Sequence, residues 1–329
     1  MVNYTKTELA QFNGTLLFPE ITLIRPKDSR QFTSNLIIID DKVKLVVDTG
    51  GFQFKSKRMS AIRDFFKIGS SDVVLFSHYH LDHTMGSHSF SESQKVIHSS
   101  EKDVLKSMEN FFAFGLGSTA EIPEYQEIWK PLFSNILNQE GLSEWADLAF
   151  DNIQSIDNRN TLDLGEKELE ILHFPGHSPG HCGAYEPFSK ILFIGDIDLG
   201  LKFGPWYGWV NSDLEAFRKT IDKLKSFVEA NEISVVIPSH SSPIEKAECL
   251  KRLEEFGRIF DKRKKRIFEF IDKNTTGTTV GEIVSQSIIH QGKTIHFWEF
   301  FEQVMVEKHL IELELEESIF CEGDQIFSA

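Results

Sequence analysis

Residues 77 to 86 read "SHYHLDHTMG" and follow the apolar run "VVLF", so three histidines and an aspartate fall within the six positions from His78 to His83. Imidazole nitrogens and carboxylate oxygens are the donors that zinc, iron and manganese take. His78 and His80 are separated by one residue, and alternate side chains on an extended strand end project to one side, so both can bind one ion. Asp82 and His83 follow on a turn that would aim them at a neighbouring position, where a second ion could share a water with the first. Any one of these histidines alone would read as a surface or core residue. Four donors together at the end of an apolar strand point to metal.

Such donors need elements to hold them. "LLFPEITLIRP", "TSNLIIID" and "DKVKLVVDTGG" read as short strands, with Asp40 and Asp41 in a hairpin turn between the last two. "SKRMSAIRDFFKIG" has helical apolar spacing and ends on Gly69, and "DVVLF" is an apolar strand running into the donors. "QKVIHSS" adds a strand. From about residue 100 to 151 the pattern changes to aromatic-rich helices, which reads as an insertion. Strands return in "QSIDNRNTLDLGEKELEILHFPGHSPGHC" and "KILFIGDIDL", followed by the helix "DLEAFRKTIDKLKSF" and the strand "ISVVIPSH". The tail is helical and ends in a hairpin-like "SIFCEGDQIF", an order that suggests a small winged-helix-like module.

"HYHLDH" resembles the HxHxDH signature of the metallo-β-lactamase superfamily, and further motifs follow in the family's order: "FPGHSPGH" with His177, "LFIGD" with Asp196 and "VVIPSH" with His240. "VVDTGG", with Asp48, is similar to the family's strand-turn element ahead of the signature, and the resemblance covers approximately residues 15 to 242. It implies an α+β chain: an αββα sandwich over residues 1–262, interrupted by the helical insertion, then the small C-terminal module over 263–329. It also implies that His78, His80 and His177 hold a first metal, that Asp82, His83 and His240 hold a second, and that Asp196 bridges them. The cofactors implied are two divalent transition-metal ions, zinc first, with iron or manganese as alternatives. Asp82 and Asp196 would offset their charge and accept hydrogen bonds from a bridging hydroxide, the nucleophile of a hydrolase. Asp48, His173 and His181 are outer hydrogen-bond partners or structural residues, and His88 and His98 read as structural.

Family members include lactonases, thioesterases, β-lactamases and nucleases, so the substrate must be read elsewhere. Aromatics Phe111, Phe112, Phe114, Trp129, Phe133 and Trp145 of the insertion, and Phe203, Trp206, Tyr207 and Trp209 of "FGPWYGWV", could line a cover over the site or form core. Tyr207 is placed to donate to a developing oxyanion. A small ester, lactone or thioester with an apolar arm fits that reading. No basic cluster follows Asp196 to hold glutathione carboxylates, and no tyrosine stands a turn after it as in homoserine lactone lactonases. The tail resembles that of β-lactamase-like-protein-2-type members, some of which are endoribonucleases. A nuclease using "KRKKR" (262–266), an iron-dependent persulfide dioxygenase and a non-catalytic ligand sensor are the alternatives.

With 35 Lys and Arg against 50 Asp and Glu over 329 residues, the net charge of −15 repels phosphate backbones and anionic lipid, which disfavours nucleic acid as a partner. The longest apolar runs fall far short of the roughly 20 residues that span a bilayer, and the first residues lack a signal-peptide pattern. Three widely spaced cysteines without a CxxC pair fit a reducing cytoplasm. A homodimer is compatible with all of this.

Overall fold

The computed structural model describes residues 4–26, 33–51, 56–121, 126–127, 130–131, 134, 153–156, 161–200, 204–290 and 296–329. Trp129, Phe133, Trp145 and Phe203 lie outside the described residues, and with them most of the expected insertion. Its described part contains the helix α4 (Met108–Leu116), N-capped by Ser107, whose hydroxyl accepts from Asn110 N–H.

Seven strands form one sheet in sequence order: β1 (Gly14–Phe18), β2 (Ile21–Ile24), β3 (Leu36–Ile39), β4 (Leu45–Val47), β5 (Val73–Leu75), β6 (Gln94–His98) and β7 (Ile153–Ile156). The first four pair antiparallel, and β4 to β7 run parallel. A second sheet has the order β12-β11-β10-β9-β8, from β8 (Thr161–Asp163), β9 (Glu168–His173), β10 (Cys182–Glu186), β11 (Ile191–Gly195) and β12 (Val235–Pro238).

Runs such as "LIII" are apolar on both faces because both faces are covered. Ile37 and Ile39 point between the sheets, where they meet Ile171, Ala184 and Phe193 of the second sheet. Leu36 and Ile38 point the other way, into a cluster with Met59, Ile62 and Phe66 of α2 (Ser56–Phe66) and with Phe111 and Phe112. On the outer face of the second sheet, Leu192, Ile194 and Val236 meet Phe217, Ile221 and Leu224 of α5 (Leu214–Ala230). Helix, sheet, sheet and helix are thus stacked as four layers around three apolar seams, the αββα sandwich.

The C-terminal helices join the last of these seams. Helix α6 (Lys246–Lys273) buries Cys249, Leu253, Phe256, Phe260, Arg263, Ile267 and Ile271, a stripe at three- and four-residue spacing that continues without a break past residue 262. Leu253, Phe256, Met305 and Ile326 share one apolar cluster with the strand residues Leu192 and Val236. The boundary expected at 262/263 therefore falls inside one helix and one core. The order beyond it is the expected one: α7 (Val280–Ser285), α8 (His296–Leu315) and the antiparallel pair β13 (Ile319–Glu322) and β14 (Gln325–Ser328). Among the described residues, no helix is long and apolar enough to cross a membrane.

Candidate metal centre

The buried strand β5 delivers the chain to Ser77 and His78, and His80 then caps a one-turn helix, α3 (Leu81–Thr84), with extended backbone at φ −60°, ψ 146°. That turn re-aims the chain as the spacing predicts: His78 and His80 face one position, Asp82 and His83 the next. His177 arrives on the turn after β9, Asp196 at the end of β11, and His240 shortly after β12. All seven come to the same end of the two sheets.

Three imidazole nitrogens converge. His78 Nε2 lies 2.8 Å from His80 Nδ1 and 3.2 Å from His177 Nε2, and the last two are 3.1 Å apart. Ligands at 2.0–2.1 Å from a tetrahedral zinc stand about 3.3 Å from one another, so these separations are near those of a metal cage. Asp196 faces both groups: Oδ2 is 3.3 Å from His177 Nε2, while Oδ1 is 3.0 Å from His83 Nε2 and 3.1 Å from His240 Nε2. Asp82 Oδ2 closes the second group at 3.7 Å from His83 Nε2 and 3.4 Å from His240 Nε2. Two sets of four donors result, His78, His80, His177, Asp196 and Asp82, His83, Asp196, His240, with Asp196 common to both. His83 Nε2 and Asp196 Oδ1 are buried and make no hydrogen bond in good geometry, an arrangement suited to a cation.

Charge supports the same fit. Burial, reinforced by neighbouring imidazoles, pushes His78 and His80 well below the usual histidine range, and burial also lowers His177, so all three present lone pairs at neutral pH. Burial opposes protonation of His83 and His240 as well, but carboxylates outweigh it: Asp196 and Asp82 hold His240 at about 9, and Asp196, Asp48 and Asp82 hold His83 well above its usual value. Protons there balance carboxylates that a dication would balance instead, with release of those protons.

The family model for the metallo-beta-lactamase superfamily matches residues 30–240. The chain belongs to the metallo-beta-lactamase superfamily. Its metallo-beta-lactamase fold is similar to that of a metallo-beta-lactamase family protein from Thermus thermophilus, at 17% identity and a TM-score of 0.69 over 95% of this chain and 100% of that one. A beta-lactamase domain protein from Burkholderia ambifaria gives 14% identity and a TM-score of 0.68 over 96% and 93%. Among curated proteins, the human acyl-coenzyme A thioesterase MBLAC2 is 23% identical over 51% of this chain and 55% of its own length. The hydroxyacylglutathione hydrolase GloC of Haemophilus influenzae is 29% identical over 53% of this chain and 70% of its own. The matches thus span about half the length of the MBLAC2 proteins.

Around the donors of this superfamily member lies a layer of orienting groups. Asp48, fully buried, accepts from His83 Nδ1 at 2.7 Å, which leaves Nε2 to face the second group. His177 Nδ1 donates to the Trp206 carbonyl at 2.9 Å and so presents Nε2. His181 donates from Nδ1 to the Phe174 carbonyl and accepts Asp196 N–H at Nε2, both at 2.9 Å. Gly195 has φ +58°, and a Cβ there would come within 2.2 Å of His181 Nε2, so this contact requires glycine. His173 instead bonds the Pro179 carbonyl and stacks on His98 at 4.1 Å, and His88 bonds the Met85 carbonyl. The Trp206 carbonyl carries no sequence signal, because backbone atoms are the same in every residue.

Tyr207 is placed differently from the sequence expectation. Its ring is fully buried against Phe260, and its hydroxyl is 2.7 Å from His309 Nε2 of α8, turned toward the C-terminal helices and away from a developing oxyanion. Of the loop's indoles, Trp209 lies near the donors, 5.4 Å from the His80 ring and 5.2 Å from Phe301, while Trp206 packs 5.0 Å from Phe301. Phe111 and Phe112 are core, and Phe114 packs against that core. The basic run 262–266 is divided among separate tasks. Arg263 is buried and donates to the Pro205 carbonyl, Lys264 pairs with Glu316, and Lys265 pairs with Glu269.

Proposed function

We propose that this chain is a binuclear metallo-hydrolase that cleaves thioesters, with related esters and lactones as secondary substrates, and that prefers acyl groups with an apolar arm. The observation that carries the binuclear reading is Asp196, whose two oxygens face two separate donor groups. When bound, two divalent transition-metal ions, zinc by the nitrogen-rich donor set, would polarise the scissile carbonyl and make water a nucleophile near neutral pH.

The chain's own groups then have defined tasks. His78, His80 and His177 present neutral lone pairs to one position, and His83 and His240 would do so at the other on releasing their protons. Asp196 spans the two and fixes their separation. Asp82 and Asp196 orient the attacking water by accepting its hydrogen bond. Trp209, half-buried beside His80 and backed by the buried Phe301, offers an apolar wall that favours an acyl chain over a polyanion.

Thioesters are preferred because two relatives, MBLAC2 and GloC, bear names that denote thioester cleavage. The burial of Arg263 and the pairing of Lys264 with Glu316 and of Lys265 with Glu269 support the small-molecule reading over a nuclease. The test is a panel of acyl-coenzyme A thioesters, acylglutathiones, acyl lactones and a labelled single-stranded RNA, each assayed with zinc-loaded protein. Turnover of the thioesters with apolar acyl chains is expected. Salt-sensitive RNA cleavage with no thioester turnover would replace this reading by the nuclease.

A further inference from the structure

Glu101 belongs to neither donor group, yet its side chain is fully buried. It follows β6, and its carboxylate accepts three hydrogen bonds. Oε2 takes Tyr79 N–H at 2.9 Å, while Oε1 takes Gly180 N–H at 2.7 Å and the Ser178 hydroxyl at 2.5 Å. Tyr79 stands between His78 and His80, and Ser178 follows His177. A single carboxylate therefore ties together the two segments that carry the three converging imidazoles.

A buried carboxylate is expensive unless its lone pairs are satisfied, so its presence calls for a task that an apolar residue could not perform. Approach is close: a Cβ on Gly180 would lie 2.8 Å from Glu101 Cδ, so glycine is what lets the second segment reach the carboxylate. The same segments are also joined by Cys182 N–H to the Ser77 carbonyl at 2.8 Å, one step nearer the strands. Glu101 supplies the tie at the level of the imidazoles.

We infer that Glu101 is a positioning residue for the first donor group, clamping the His78–His80 segment to the His177 turn and setting the separation of the three imidazoles. This rests on the metal reading above. Glu101→Gln keeps the shape but not the bonding. Its amide nitrogen must face either Tyr79 N–H or Gly180 N–H, a donor against a donor in both orientations. Loss of an outer-layer partner of a metal site typically costs about 10–100-fold in metal affinity.

The test is a zinc titration of metal-free wild type, Glu101→Gln and Ser178→Ala against a chromophoric chelator, with circular dichroism as the folding control. Asp82→Ala identifies the second group's binding step by removing it. The first group's step should weaken about 10–100-fold in Glu101→Gln and less in Ser178→Ala, with the second group's step less affected. An unchanged first step in folded Glu101→Gln overturns the clamp, and so does equal weakening of both steps. Should Glu101→Gln not fold, Ser178→Ala decides on the same two readings. A wild type that binds no zinc would sink the metal reading itself, whereas two tight ions in wild type with an unchanged Glu101→Gln overturn the clamp alone.

Discussion

Replacing Asp48 by asparagine keeps the shape of the side chain and changes what it can accept. Asp48 Oδ1 takes Ser77 N–H at 2.8 Å, and Oδ2 takes the Ser77 hydroxyl at 2.8 Å and His83 Nδ1 at 2.7 Å. In the variant the amide oxygen keeps the backbone bond, so the NH2 group faces His83 Nδ1. That nitrogen must then accept, and the imidazole proton moves to Nε2, the atom 3.0 Å from Asp196 Oδ1 and 3.7 Å from Asp82 Oδ2. An incoming ion could then no longer obtain the Nε2 lone pair that wild-type His83 gives up on releasing its Nε2 proton. The backbone at Asp48 has φ +55°, which asparagine tolerates, so the effect stays at the side chain. Loss of such a partner costs about 10–100-fold in metal affinity, or about 1.4–2.7 kcal/mol. In the chelator titration the weakened step should be the one that Asp82→Ala removes. Wild-type affinity at both steps in folded Asp48→Asn would refute the orienting role.

Asp196→Ala removes the donor that the two groups share, so metal occupancy and thioester hydrolysis should both be lost; an active variant that retains two ions would defeat the bridging assignment. Across a series of acyl thioesters, kcat/KM should rise by up to about tenfold per two well-buried methylenes, at roughly 0.8 kcal/mol each, and Trp209→Ala should flatten the rise. A chain-length response unchanged in Trp209→Ala would remove the aromatic wall from the account. Lys308 donates to the Tyr207 and Trp209 carbonyls, and burial lowers it to about 7 against the opposing pull of Asp213 and Glu307. Its unfolded value is about 10.4, so the cost of burying its charge is present in full below pH 7 and is relieved as pH rises toward 10. Urea unfolding of wild type relative to Lys308→Met should therefore show stability rising over that window, and parallel curves would show that Lys308 keeps its charge when folded.

The donor motif was legible because its residues are close in sequence and chemically distinctive: HxHxDH needs only a strand and a turn to present two pairs. The apolar strands were equally plain, since "LIII" and "ILFIG" are buried on both faces and admit no polar alternation. β10 was harder to read, because "CGAYE" contains glycine, alanine and glutamate and is a strand by virtue of its neighbours β9 and β11. Glu101 and the Trp206 carbonyl act on histidines brought near only by the fold, so no local pattern marks them. Tyr207 shows the same limit from the other side: its sequence position suggests the site, but the placement of α8 decides where its hydroxyl points. The boundary expected at 262/263 has no counterpart in the packing, because the buried stripe of α6 passes straight through it.

Two ions per chain, on donor groups that share Asp196, are what the proposed reading requires, and elemental analysis of the purified protein tests this most directly. Two transition-metal ions per chain in wild type, falling on replacement of Asp196, is the predicted result. A single iron per chain, with oxygen uptake on a persulfide, would contradict it and move the chain to the dioxygenase reading.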